Sequence, residues 1–176
     1  MGVTTLMSFA EFERLPDTGE HLELLEGELL QLPPPEKRHV KASHRIYDRA
    51  RDWRKEYTGG GVGDVYMEMG YLMKGEPPSW LEPDVSVTDP DQPGDKYYQG
   101  APMIAIEIIS PSERSGEVQD KIRIYLTNGA KEVWTFYERN RTAYAYTPDG
   151  KFRIESAAFH SDLLPGLEIP FEEIFR

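Results

Sequence analysis

Two carboxylates stand where a free charge is expensive. Glu107 interrupts the run Ile104-Ala105-Ile106-Glu107-Ile108-Ile109, a near-continuous apolar segment of the kind that forms a central strand buried on both faces. A carboxylate there must meet a partner such as an arginine, surface at the strand end, or bind a metal. Asp84 lies near the start of a second short apolar segment, Pro83-Asp84-Val85-Ser86-Val87. Alone it reads as a turn or cap residue. On a strand beside Glu107 it becomes half of a hard-oxygen site suited to Mg²⁺ or Mn²⁺.

Lys121, between Val118 and Ile122, falls near the apolar side of a helical pattern. It could run along the surface to solvent or pair with Glu117 at i, i+4. As a site residue it would orient a water or hold charge developing on a phosphate. Glu23 sits between Leu22 and Leu24, so alternation puts it on the face opposite them, either exposed or in a site. His39 shares a helix face with Ile46 and Trp53 and reads as a core histidine or a substrate contact. Arg38, Lys41, Arg45 and Arg49 form an adjacent basic stripe, interleaved with Asp48 and Asp52. That stripe is either a solvated face or a phosphate track.

The elements that would carry these residues can be read from pattern. Ser8 with Glu11 makes a capping box for a short helix through Leu15, broken by Pro16-Asp17. Residues 22–24 and 29–32 form a hairpin around Glu26-Gly27. Pro33-Pro34-Pro35 leads to a helix over 36–56, with Ile46, Ala50, Trp53 and Tyr57 inward. Strands follow within 62–72, then over 83–87 and 103–109. The loop 90–100, rich in Pro, Gly and Asp, is expected to be mobile or to face a ligand. A second helix over 116–127 carries Val118, Ile122, Tyr125 and Leu126 and stops at Asn128-Gly129. Strands over 132–137, 142–146 and 151–155 and a short helix over 171–175 complete an α/β or α+β domain.

The 176 residues suit one domain, 1–176, long enough to bury a core. With 39% apolar and 29% charged residues the balance is globular rather than disordered. The absence of cysteine excludes disulfides, thiolate metal sites and cysteine nucleophiles. No stretch approaches the roughly 20 apolar residues of a membrane span. Met1–Phe12 has no basic region or apolar core, so it is not read as a leader. A cytoplasmic protein is expected. The net charge of −11 opposes a simple nucleic-acid reading, since phosphate contacts from Lys and Arg dominate DNA affinity. Yet eight of the 20 basic residues fall between Lys37 and Lys55.

These pieces, in this order, resemble the Uma2 family (DUF820) of the PD-(D/E)XK nuclease superfamily. The resemblance rests on Leu22-Glu23-Leu24-Leu25-Glu26-Gly27-Glu28-Leu29, on Pro33-Pro34-Pro35 followed by His39, and on Pro83-Asp84-Val85. Ile106-Glu107-Ile108-Ile109-Ser110-Pro111-Ser112, then Lys121 with Tyr125, Gly129 and Glu132-Val133-Trp134, complete it. It implies a restriction-endonuclease-like mixed central sheet flanked by helices, with an N-terminal hairpin and C-terminal strands. It also implies Glu23, Asp84, Glu107 and Lys121 as catalytic residues. The superfamily's usual lysine, two positions after the acid, would fall on Ile109; the family resemblance moves it to Lys121. Glu117 replaces a frequent aspartate and Ala130 a frequent valine, neither of which disables the site.

The implied activity is metal-dependent hydrolysis of DNA phosphodiester bonds. Asp84, Glu107 and the Ile108 carbonyl would hold Mg²⁺ or Mn²⁺, and His39, Arg38, Lys41 and Arg45 would touch substrate. The expected partners are DNA and a second copy of the chain, with no membrane. Two rivals stand beside it: a non-catalytic binding module that keeps the fold, and a metal-dependent hydrolase of another phosphate ester.

Overall fold

The computed structural model describes residues 6–111 and 113–176; Ser112, the last residue of the Ile106–Ser112 motif, and the first five residues of the stretch read as no leader, lie outside these. The Ser8 capping box forms as expected: the Glu11 carboxylate accepts from the Ser8 amide at 2.8 Å, and the Ser8 hydroxyl accepts from the Glu11 amide at 3.3 Å. Helix α1 (Phe9–Phe12) is shorter than the sequence suggested. Its last turn tightens into i→i−3 bonds from Arg14 and Leu15 ahead of Pro16.

Strands β1 (His21–Leu25) and β2 (Glu28–Leu32) form the expected hairpin. Glu26 and Gly27 both take positive φ, +48° and +82°, as the tightest right-twisted hairpin turn requires. Helix α2 (Lys37–Glu56) follows and buries Ala42, Ser43, Ile46 and Ala50. Then come β3 (Val65–Met67), β4 (Tyr71–Met73), β5 (Ser79–Leu81), β6 (Val85–Val87), β7 (Tyr98–Gln99) and β8 (Ile104–Ile109). Helix α3 (Ser115–Thr127) leads to β9 (Glu132–Tyr137), β10 (Thr142–Tyr146) and β11 (Phe152–Glu155). Strands β12 (Ala158–His160) and β13 (Glu168–Pro170) and helix α4 (Phe171–Ile174) close the chain.

One sheet has the order β11-β10-β9-β8-β6-β3, with β8 and β9 parallel and the other pairs antiparallel. A second has the order β2-β1-β5-β4-β7, and β12 pairs with β13. Strands β5, β12 and β13, three residues each, are too short to leave a periodic signal. The loop 90–100 is not simply ligand-facing. Its Tyr98-Gln99 pairs parallel with β4, and Tyr97 packs edge-on against Trp80 at 4.5 Å. Its aromatic residues repay the edge with buried area.

Strand β8 is buried along its whole length, and its alternation sorts two cores. Ile104, Ile106 and Ile108 join α2 residues Ala42, Ile46 and Ala50 in one cluster. Ala105 and Ile109 join α3 residues Val118, Ile122 and Tyr125, together with Leu25, Tyr71 and Leu81 of the second sheet. Glu107 shares the parity of Ala105 and Ile109, so it points to the α3 side. The site therefore lies where the second sheet and α3 cover the central one.

Candidate active site

Alternation on β1 gives Glu23 the parity of Leu25, whose side chain lies in the α3-side core. Glu23 does oppose Leu22 and Leu24, but both faces of β1 are covered, so it is 1% exposed rather than free. Lys121 follows Val118 by three and precedes Tyr125 by four, which puts all three on the inward stripe of α3. It is 7% exposed and neither reaches solvent nor pairs with Glu117, which takes Arg114 instead.

The Lys121 ammonium lies 2.6 Å from Glu23 Oε2 and 3.8 Å from Glu107 Oε1. The other Glu23 oxygen accepts from the Glu82 amide at 3.1 Å. The Tyr125 hydroxyl donates to Glu107 Oε1 at 2.9 Å. Asp84, just before β6, accepts from the Ile108 amide through Oδ2 at 2.7 Å. Of the Ile108 backbone, then, it is the N–H that meets Asp84. Asp84 Oδ1 lies 2.6 Å from His39 Nε2, so the helix N-terminus and the strand end are tied by one carboxylate.

A cleft of roughly 180 Å³ holds Glu23, His39, Asp84, Glu107, Ile108 and Lys121 together. Seven carboxylates line it against one lysine and two histidines. Burial, aided by the charges of Asp84 and Glu23, pushes Glu107 up to about 8 against the pull of Lys121. Burial also opposes the Lys121 charge, but Glu107 and Glu23 outweigh it and hold its pKa above the ordinary lysine value. Burial works against a charged His39 as well, and the hydrogen bond and charge of Asp84 overcome it and raise its pKa. Glu113 and Glu82 are both raised chiefly by burial.

The remaining basic residues divide. Arg45 donates to the carbonyls of Ile174 and Arg176, and Arg49 pairs with Glu173, so this half of the stripe fastens α2 to the chain's last residues. Arg38 and Lys41 are exposed. Glu113, whose carboxylate accepts from the Ser110 amide at 2.7 Å, is a cleft residue that the sequence reading passed over. The spacing Ser110 to Glu113 is that of a capping box and could have flagged it. Tyr125 had its signal in standing four residues after Lys121 on one helix face.

Buried carboxylate oxygens without sulfur are the donor chemistry of a hard divalent cation. The surplus of acids over bases leaves charge for such a cation to balance. Among the described residues no three His, Asp or Glu side chains cluster closely enough to form a metal-holding group alone. Asp84 and Glu107 would need backbone carbonyl and water to complete a shell.

A family model described as "Putative restriction endonuclease", Uma2, matches residues 9–172. The chain belongs to the Uma2 family. Its fold is similar to the crystal structure of a "putative nuclease belonging to DUF820" from Anabaena variabilis ATCC 29413, with a TM-score of 0.82 and 21% identity. The likeness covers 96% of this chain and 97% of that one. No curated protein matches the chain. Within this Uma2 fold the absence of lysine at Ile109 has a packing reason. Ile109 points into the α3-side core, and the lysine arrives on α3 from across that core.

Proposed function

We propose that the protein is a metal-dependent endonuclease that hydrolyses DNA phosphodiester bonds. The observation that carries this reading is the convergence of Asp84, Glu107 and a buried Lys121, held by Glu23, on one cleft. Asp84, Glu107 and the carbonyl of Ile108 are the residues that would hold Mg²⁺ or Mn²⁺. When bound, the cation supplies charge neutralisation to the phosphate and acidifies water.

The chain's own residues do the rest. His39 and the Ile108 amide fix Asp84, and Tyr125 fixes Glu107. The Lys121 ammonium donates to the attacking water and to the charge that grows on the phosphate. Glu23 anchors the ammonium so that its direction does not change during the reaction. The family resemblance implies a 5′-phosphate and a 3′-hydroxyl as products. One centre per chain cuts one strand, so a homodimer would present the pair that a double-strand break needs.

The test is nicking of supercoiled DNA with Mn²⁺. Glu107→Gln and Lys121→Met should each slow cleavage on the order of 100-fold or more. Equal cleavage by wild type and both variants would overturn the reading. The acidic lining of the cleft favours a second reading, a hydrolase of small phosphate esters. Turnover of bis(p-nitrophenyl) phosphate without any DNA nicking would select it, and metal-independent DNA binding with neither activity would mark a binding module.

A further inference from the structure

A hollow of roughly 570 Å³ adjoins the catalytic cleft. Glu36 lines both, and Pro111 in the hollow directly follows Ser110 in the cleft. Four arginines from three parts of the chain meet there: Arg38 on the first turn of α2, Arg139 and Arg141 between β9 and β10, and Arg176. Among the described residues none of these four guanidinium groups makes an ion pair or donates a side-chain hydrogen bond. Elsewhere Arg51 pairs with Asp48 and Asp52, Arg114 with Glu117, and Arg123 with Glu26 and Asp120. In a protein with a net charge of −11, free cations gathered at one spot are unexpected.

The acids of the hollow, Glu36 and Glu138, leave it net positive. The two spaces are also in electrical contact, since the Glu138 charge reaches His39. Consecutive residues on a helix diverge by about 100°, so Arg38 serves the hollow while His39 serves the cleft. The N-terminus of α2, with no side-chain cap at Glu36, adds its positive end to the same place.

An acidic cleft repels a polyanion, so the affinity for one must come from a neighbouring basic surface. We propose that this hollow grips the phosphate backbone of the DNA strand next to the bond that is cut. Arg38, Arg139 and Arg141 each donate to non-bridging phosphate oxygens, for which the guanidinium fork is matched in shape and charge. The scissile phosphate then enters the acidic cleft on an already anchored strand. This rests on the endonuclease reading, and it moves the substrate track from the α2 stripe of Arg38, Lys41 and Arg45 to the rim between α2 and the β9–β10 turn.

The experiment measures binding of a fluorescein-labelled DNA duplex by anisotropy, with EDTA present so that nothing is cut. Arg139→Gln/Arg141→Gln, and separately Arg38→Gln, should lose on the order of 10-fold or more in affinity, and the salt-dependence slope should fall by about 0.9 for each arginine removed. Melting should be unchanged because all three are exposed, and Lys151→Gln, whose lysine pairs with Asp149, should bind as wild type. In the nicking assay the double variant should raise KM and leave kcat alone. Wild-type affinity in both arginine variants would overturn the proposal. If nicking were still lost in the Glu107 and Lys121 variants, the endonuclease reading would survive it. Arginine-dependent DNA binding without any nicking would uphold the hollow and remove the nuclease. Displacement of the duplex by polyglutamate as readily as by unlabelled DNA would assign the hollow to an acidic protein partner and overturn the proposal.

Discussion

At Lys121 an ammonium 2.6 Å from one buried carboxylate and 3.8 Å from another is a structural member as well as a chemical one. A solvent-reaching lysine, as the sequence alone allowed, would cost less than about 0.5 kcal/mol on removal. Buried between two acids, Lys121→Ala instead strands uncompensated charge and should cost about 3–5 kcal/mol in urea unfolding. Adding Glu23→Gln to Lys121→Met should recover part of that loss, because the stranded charge is gone; a double variant no more stable than Lys121→Met would refute the pairing. Glu107 makes a pH prediction. Its folded pKa, pushed to about 8 from an ordinary 4.5, means that the folded state holds the proton more tightly. The stability contribution is then full below about 4.5 and lost as pH rises to 8. His39, also raised, acts in the same direction. The metal-free protein should melt lower at pH 8 than at pH 5.5, with a shallower slope in Glu107→Gln; identical slopes would show that Glu107 ionises freely.

Among the elements, the hairpin β1–β2 holds Glu23 in register, and its turn is the sensitive point. Gly27 has a φ of +82°, and a Cβ there would stand 2.8 Å from the Cβ of Pro77. Gly27→Ala combines backbone strain with a clash and should destabilise by about 1–3 kcal/mol, read from a thermal melt. The same change at Gly60, with open space around it and no positive φ, should be near neutral. Similar losses at both positions would mean that the turn geometry is not what matters. Strand β8 shows how much an element can reveal: its six apolar-framed residues were legible as a doubly buried strand. Its partner β6 was legible only as a short apolar segment, since three residues carry no period.

For the whole molecule, a cation that binds only the folded state must raise its stability. At a concentration 100 times its Kd, Mg²⁺ or Mn²⁺ should add about 2.7 kcal/mol, which is roughly 5–10 °C in Tm for a chain of this size. The rise should be greater at pH 8 than at pH 5.5, where protons compete for Glu107. Asp84→Asn should reduce it, because an amide lacks the charge that attracts a hard ion. No shift in wild type at millimolar metal would argue against a metal centre. Among the described residues no helix is long and apolar enough to cross a membrane.

The chain's local patterns determined a good deal unaided. The Ser8 capping box, the Glu26-Gly27 turn, the apolar faces of both main helices and the order of the family motifs are all set within a few residues of sequence, where propensity and periodicity act. That order also carried the family and the fold. What only tertiary structure decided is which faces would be covered. Alternation placed Glu23 opposite Leu24 but could not tell that α3 would close over that side. Helical spacing placed Lys121 near the apolar stripe but could not tell that two acids waited there. The arginines at 38, 139, 141 and 176 lie far apart in the chain, and their meeting beside the cleft has no local signature. Burial and charge pairing depend on contacts between distant segments, and a single sequence records the residues without recording their neighbours.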